Sequence, residues 1–367
     1  MRVECPSSVL AAALASAGRA ASTKTTIPVL SHLLLDAGEG GVTISATDME
    51  LSLRVPVPEA TSSEGGAVAL PRLAADVVRS LPEGMVSIEY REGEAAATIE
   101  GGQSRFSLNV LPSGDFPELP PDAGSGVTMP SDPVVQAIER VAKAASRDET
   151  RPVLTGVLTK IGPDGLMLVA TDSYRLAVEE ASLETAPSGQ SEAIVPARAL
   201  WELARLAGSE RAEEIELVLG DAVALARVGG VRLTSRLIDG QFPDHTQLLP
   251  TEFAHDVIFE RSELLSVLAR IGVLAQRSSP VKLAFTEGQV TISTVSETLG
   301  EGRESVPVAF SGEDLEVGFN VEFLRAGVES VAGDELRLGL ISPLRPGLMR
   351  GEDERYRYLL MPIRLNA

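Results

Sequence analysis

Leu166-Met-Leu-Val-Ala-Thr-Asp-Ser-Tyr-Arg-Leu-Ala-Val178 lies near the middle of a 367-residue chain, and the chain writes it more than once. Val42-Thr-Ile-Ser-Ala-Thr-Asp48 precedes it and Val290-Thr-Ile-Ser-Thr-Val-Ser296 follows it. Val42, Leu166 and Val290 are spaced 124 residues apart, as are Ile44, Leu168 and Ile292. That period is the length of a domain, not of a solenoid repeat. Alternation within each copy predicts a half-buried strand.

A Pro-marked segment precedes each copy: Ile27-Pro-Val-Leu, Arg151-Pro-Val-Leu and Ser279-Pro-Val-Lys. Proline is tolerated at strand starts, so a strand is expected at all three. Further upstream, Val9 to Ala17, Val134 to Ala145 and Leu264 to Ile271 carry apolar residues at helical spacing, with Ser or Asp expected as the N-cap. The first of these, rich in Ala and Leu, could pass for a secretory signal segment. Its internal equivalents exclude that reading. No apolar run approaches the length needed to span a membrane, and a cytoplasmic location is expected.

Downstream, Leu70 to Leu81, Val195 to Leu206 and Phe319 to Val328 predict a second helix in each repeat, with Pro71 and Pro196 in its first turn and Asn320 able to cap the third. Strand pairs such as 86–90 with 97–99, and 214–219 with 222–228, complete the units. The expected class is α+β: three repeated domains, 1–122, 127–250 and 251–367, each with two helices packed on antiparallel sheets.

The single Cys5 excludes an internal disulfide framework. A formal charge of -20 argues against a surface that grips nucleic acid everywhere. The charge is segregated, however. Across the six helical segments and their flanks, thirteen Arg and Lys (Arg277 among them) stand against seven Asp and Glu, a balance of about +6.

Ala170-Thr-Asp-Ser-Tyr-Arg-Leu-Ala-Val178, Asp239-Gly-Gln-Phe-Pro-Asp244 and Tyr358-Leu-Leu-Met-Pro-Ile-Arg-Leu365, in this order and with the threefold repeat, resemble the β subunit of bacterial DNA polymerase III, the β sliding clamp family. The resemblance implies a head-to-tail homodimeric ring of DNA-clamp domains, with helices lining the hole. It implies a processivity factor that encircles duplex DNA without sequence specificity and docks short linear motifs of the replicative polymerase, clamp loader and repair proteins. Its partner pocket, between the second and third domains, maps onto Leu154, Thr171, Ser173, Tyr174, Arg175, Leu176, Pro243, Gln247, Leu248, Asn320, Phe323, Leu344, Leu359, Met361, Pro362, Ile363, Arg364 and Leu365. On the same resemblance, DNA-facing positions are expected at Lys24, Arg72, Arg147, Arg198 and Arg205, and the ring joint at Phe106 and Leu108 against Val273 and Leu274. Ser173-Tyr174 stand where many members have Gly-His, and Gln276 to Ser279 depart from an expected apolar position.

An enzyme is the weaker reading. Asp48 and Asp172 fall in different repeats and suit turns better than paired acid/base work. His32, His245 and His255 lack metal-ligand spacing, and no nucleotide fingerprint occurs. No catalytic residue, cofactor or metal is expected; a non-ring acidic scaffold is the other alternative. One irregularity remains within the repeat. Apolar positions after Thr47-Asp48 are Leu51 and Leu53, but after Thr171-Asp172 they are Leu176 and Val178, one residue out of phase. A bulge or loop at Asp172 to Tyr174 is expected to absorb the slip.

Overall fold

The computed structural model describes residues 1–121, 124–183, 189–275, 280–296 and 298–365. Among them are seven α-helices: α1 Ser7–Ala17, α2 Leu73–Ser80, α3 Ser131–Val141, the single turn α4 Pro152–Thr155, α5 Ala197–Glu210, α6 Arg261–Gly272 and α7 Val321–Ser330. Each repeat thus has two substantial helices. The chain divides into two compact units, Met1–Ser131 with Arg205–Leu237, and Asp132–Ala204 with Ile238–Ala367.

The first unit holds a five-stranded sheet that runs from Thr61–Glu64 to an open edge at Ser104–Asn109. It also holds a nine-stranded sheet in which Leu51–Pro56 of the first repeat pairs with Val231–Arg236 of the second, Leu53 opposite Leu233. Helix α1 packs on α2 and on the strands Gly41–Thr47 and Leu51–Pro56, burying Leu10, Ala13, Leu14 and Ala17. In the second unit an eight-stranded sheet joins Arg175–Ala181 to Tyr356–Leu360, Leu176 opposite Leu359. A four-stranded sheet there ends at Gly300–Pro307, and α6 packs on α7 and on that edge strand. Because ladders continue from one repeat's strands into the next, contact density does not divide the chain into thirds.

Several local expectations need correction. Pro28 opens the 3-10 turn Pro28–Ser31 and Pro152 opens α4, whereas the strand Pro280–Thr286 does begin at its proline. Proline fixes φ near the helical value and gives up an amide that a first turn leaves unbonded, so it starts a helical turn as readily as a strand. Pro71 and Pro196, expected in first helical turns, instead close the strands Gly66–Pro71 and Ser191–Pro196. Helices α1 and α6 follow directly on the strands Arg2–Pro6 and His255–Glu260, and the expected Ser and Asp caps are absent from both. Pro6 precedes α1 with no side-chain cap, and at α6 the Glu260 carboxylate accepts from the amides of Ser262 (3.0 Å) and Glu263 (2.6 Å). Asn320 does cap α7, accepting from the Phe323 amide at 3.0 Å.

The expected slip at Asp172 to Tyr174 does not occur. Thr47 pairs with Ser52 and Thr171 with Leu176, the same register in both copies. The turns match atom for atom: the Asp48 carboxylate accepts from the amides of Glu50 and Leu51, and that of Asp172 from Tyr174 and Arg175. Met49 and Ser173 both take left-handed φ, 77° and 80°. What changes is the face that is apolar. Where the first copy buries Thr47 hydrogen-bonded to Ser52 at 2.8 Å, the second presents Leu176 to a core of Leu158, Val169, Val178, Ile194, Phe242, Leu348 and Leu359.

Candidate functional site

Leu176 and Leu359 of that core reach the floor of a cavity of about 470 Å³ within the second unit, lined by Thr171, Ser173, Arg175, Leu176, Gln247, Leu248, Pro250, Ile341, Leu344, Arg345, Pro346, Leu359 and Met361. Leu248, Leu344 and Met361 are 52%, 62% and 42% exposed, so the cavity mouth offers apolar surface to solvent. Polar guides sit beside it, a composition suited to small or extended ligands.

Each wall is held by its own local bonds. The Thr171 hydroxyl donates to the Arg175 carbonyl at 2.7 Å and accepts from the Ser173 amide at 3.2 Å. The 3-10 turn Thr246–Leu248 is anchored by Asp244, which accepts from the Thr246 amide (3.0 Å) and hydroxyl (2.7 Å) and from the Gln247 side-chain amide (2.9 Å). These donors, the Thr246 hydroxyl foremost, hold the Asp244 carboxyl below its ordinary range. His245, beneath the same turn, is buried, and burial, then Lys160, pushes its imidazole down. The Met361 amide donates to the Tyr174 carbonyl at 2.9 Å, tying the last strand to the turn.

Arg175 is the hub. Its Nε donates to Asp172 Oδ2 at 3.0 Å, another guanidinium nitrogen donates to the Lys143 carbonyl, and its Cζ lies 4.3 Å from the centroid of the Phe323 ring. Tyr358 donates its hydroxyl to the Phe323 carbonyl at 2.9 Å, and burial pushes its phenol up to about 12, which keeps that donor protonated.

The structure therefore brings Thr171, Ser173, Arg175, Leu176, Gln247, Leu248, Leu344, Leu359 and Met361 to one cavity. Leu154 is buried in α4, Asn320 caps α7 and Phe323 supports Arg175; none of them lines the cavity. Tyr174 is 62% exposed, and Pro243, Pro362, Ile363, Arg364 and Leu365 also lie outside the lining. Ile363 bonds through its amide to the Gly318 carbonyl at 2.8 Å. Gly318 lacks the Cβ that would come within 2.7 Å of Leu365 Cδ2, which lets the tail lie on this strand. Sequence reading missed Pro250, Ile341, Arg345 and Pro346. Three of them sit in Ile341-Ser-Pro-Leu-Arg-Pro346, where the available signal was an apolar, Pro-bounded loop directly after a strand.

The cationic candidates fall as follows. Lys24 is exposed in the loop after α1, Arg72 is exposed at the cap of α2, and Arg205 donates to Ser16 Oγ on α1 at 3.3 Å. Arg147 and Arg198 are exposed in the other unit. Phe106, 37% exposed, and Leu108 lie on the open edge Ser104–Asn109. Val273 is 78% exposed after α6, and Leu274 packs where a Cβ on Gly302, in the edge strand Gly300–Pro307, would meet it at 3.1 Å. Arg277 and the stretch Gln276 to Ser279 lie outside the described residues. Among the described residues no cluster of three His, Cys, Asp or Glu is placed to hold a metal, and no helix is long and apolar enough to cross a membrane.

Three family models match in succession: the DNA polymerase III β subunit N-terminal domain over residues 1–120, its central domain over 128–244 and its C-terminal domain over 246–364. The β sliding clamp of Streptomyces coelicolor is 34% identical over the whole of both chains, and that of Bacillus subtilis 29% identical over 94% of this chain and 95% of its own. Among solved structures, the Bacillus subtilis sliding clamp superposes with a TM-score of 0.92 at 27% identity and the Pseudomonas aeruginosa β subunit with 0.91 at 28%, each covering all of both chains. The chain belongs to the bacterial DNA polymerase III β-subunit family, the β sliding clamps, the non-catalytic subunits that confer processivity on a DNA polymerase.

Proposed function

We propose that two copies of the chain, each with domains 1–122, 127–250 and 251–367, close head to tail into a ring around duplex DNA. The replicative polymerase, clamp loader and repair proteins insert short linear segments into the cavity above Leu176. The cavity reading is carried by one observation: an apolar floor opens to solvent through Leu248, Leu344 and Met361. Such a groove takes a peptide through apolar anchors, while Thr171, Ser173 and Gln247 guide its backbone.

The ring is supported by two sheet edges that are unpaired among the described residues, Ser104–Asn109 in one unit and Gly300–Pro307 in the other, both beside exposed apolar side chains. A heterologous contact between such edges closes a ring when its rotation closes. Lys24, Arg72, Arg147, Arg198 and Arg205 then face the DNA in a chain that is otherwise strongly acidic. Contact with phosphates is weak and independent of sequence, and topology does the holding. The clamp works in the cytoplasm, on the nucleoid during replication, and ATP-driven opening belongs to the loader.

The test loads the protein onto nicked circular DNA with its loader and then linearises the circle. Release on linearisation is expected. Retention on the linear product rules out topological holding, and a pocket variant such as Leu176→Asp that still binds a partner peptide at full affinity moves the docking site elsewhere.

A further inference from the structure

Helix α5 carries an aromatic group that neither the core nor the cavity uses. Trp201 is the only tryptophan in the chain and is 40% exposed. It stands three residues after Arg198 and four before Arg205, so the three side chains leave the helix within about 60° of one another. The other side of the helix is buried through Leu200, Leu203 and Leu206. Glu202, the acidic group nearest Trp201 on the helix, is itself buried, so the stripe, exposed at Arg198 and Trp201 and half-buried at Arg205, is cationic and aromatic.

An indole in this place is unexpected on packing grounds, because Trp offers a large apolar surface that folding ordinarily withdraws from water. A partly exposed indole on the same helix face as two guanidiniums has the composition of a nucleic-acid contact. Arginines draw phosphates, and the aromatic plane takes a base. Both guanidiniums also make contacts within the chain, and each has five N–H donors to share. A continuous duplex keeps its bases stacked on one another and offers the indole no base face. An unpaired strand does.

We propose that Trp201 is a stacking contact for an unpaired nucleotide of single-stranded DNA, with Arg198 and Arg205 holding the adjoining phosphates, so that this clamp distinguishes a primer–template junction from uninterrupted duplex. The inference rests on the DNA-facing assignment of α5 made above.

With one tryptophan, indole emission from the full-length protein reports this position alone. It is titrated at low salt with an oligothymidine single strand, a primed junction and a blunt duplex of equal length, while labelled DNA reports binding by anisotropy. Saturable quenching by the single strand and the junction is expected, with little by the duplex. Trp201→Ala should weaken single-strand binding by roughly five- to a hundredfold, and Trp201→Phe should recover most of it. Equal quenching by duplex and single strand overturns the proposal, as does single-strand binding that neither quenches the indole nor responds to Trp201→Ala. Lys24→Ala and Arg198→Ala separate the two readings. If they weaken duplex binding while Trp201 stays silent, stacking fails and the DNA-facing assignment survives; if none of the three positions affects any DNA, both fail.

Discussion

At the scale of residues, the turn that recurs in two repeats became part of a cavity wall in one of them, through Arg175. Asp172 and Arg175 are only 12% and 13% exposed in their side chains, and the guanidinium also serves the Lys143 carbonyl and the Phe323 ring. Arg175→Ala leaves a buried carboxylate without its cation, a loss expected to cost about 3 kcal/mol in urea denaturation. A cost under about 1 kcal/mol would mean that water already screens the pair. The neighbouring His245 makes stability depend on pH. Its imidazole is held down in the folded chain by burial and by Lys160, so the unfolded chain binds a proton that the folded chain refuses. That contribution is fully present above about pH 6.5, the ordinary histidine value, and is lost as pH falls through it toward the depressed folded value. His245→Gln should flatten the decline of the urea midpoint in that window; an unchanged slope assigns the titration to other groups.

At the scale of elements, the helices were legible because apolar residues recurring every 3.6 positions place one buried stripe on a helix and on no other regular element, and Asn320 announced itself by its capping chemistry. Pro28 and Pro152 were misread because a fixed φ and a missing amide suit a strand start and a helical first turn equally. The supposed slip after Asp172 had a different cause. In a strand buried on both faces, the phase of the largest apolar residues reports which face they fill, not the pairing register, and Ala177 and Leu176 are both buried. Pro250, Ile341, Arg345 and Pro346 escaped because a loop has no period to read. The carboxy-terminal segment shows how an absent side chain positions a wall. Gly318→Ala puts a Cβ 2.9 Å from the Ile363 carbonyl oxygen and closer still to Leu365, so the tail that carries Met361 must lift. Stability should fall by about 1–3 kcal/mol, with a marked loss of affinity for a fluorescent partner peptide by anisotropy; intact affinity would show that the tail does not shape the cavity. Asn320→Ala should cost about 1 kcal/mol through the lost cap, and Asn320→Asp should restore most of it.

At the scale of the whole molecule, a chain of charge -20 that works on DNA needs its cations segregated and its grip supplied by closure. Neutralising Lys24 and Arg72 together should lower the slope of log affinity against log salt for residual DNA contact by up to about 1.8, roughly 0.9 for each phosphate released. An unchanged slope takes both residues off the DNA. In the proposed ring, closure rests on the sheet edges. Phe106, 37% exposed, and Leu108 lie on a strand whose outer ladder has no partner among the described residues. Carboxylates there would have to be desolvated for a second copy to add its strand, and they would replace the apolar contact that Phe106 and Leu108 offer. The double change Phe106→Glu, Leu108→Glu is therefore expected to give monomers by light scattering. The same protein should keep its affinity for a partner peptide, since the cavity lies in the other unit, and it should no longer remain on circular DNA after loading. A persistent dimer places the joint at other surfaces, whereas monomers that stay on the circle remove closure as the basis of processivity.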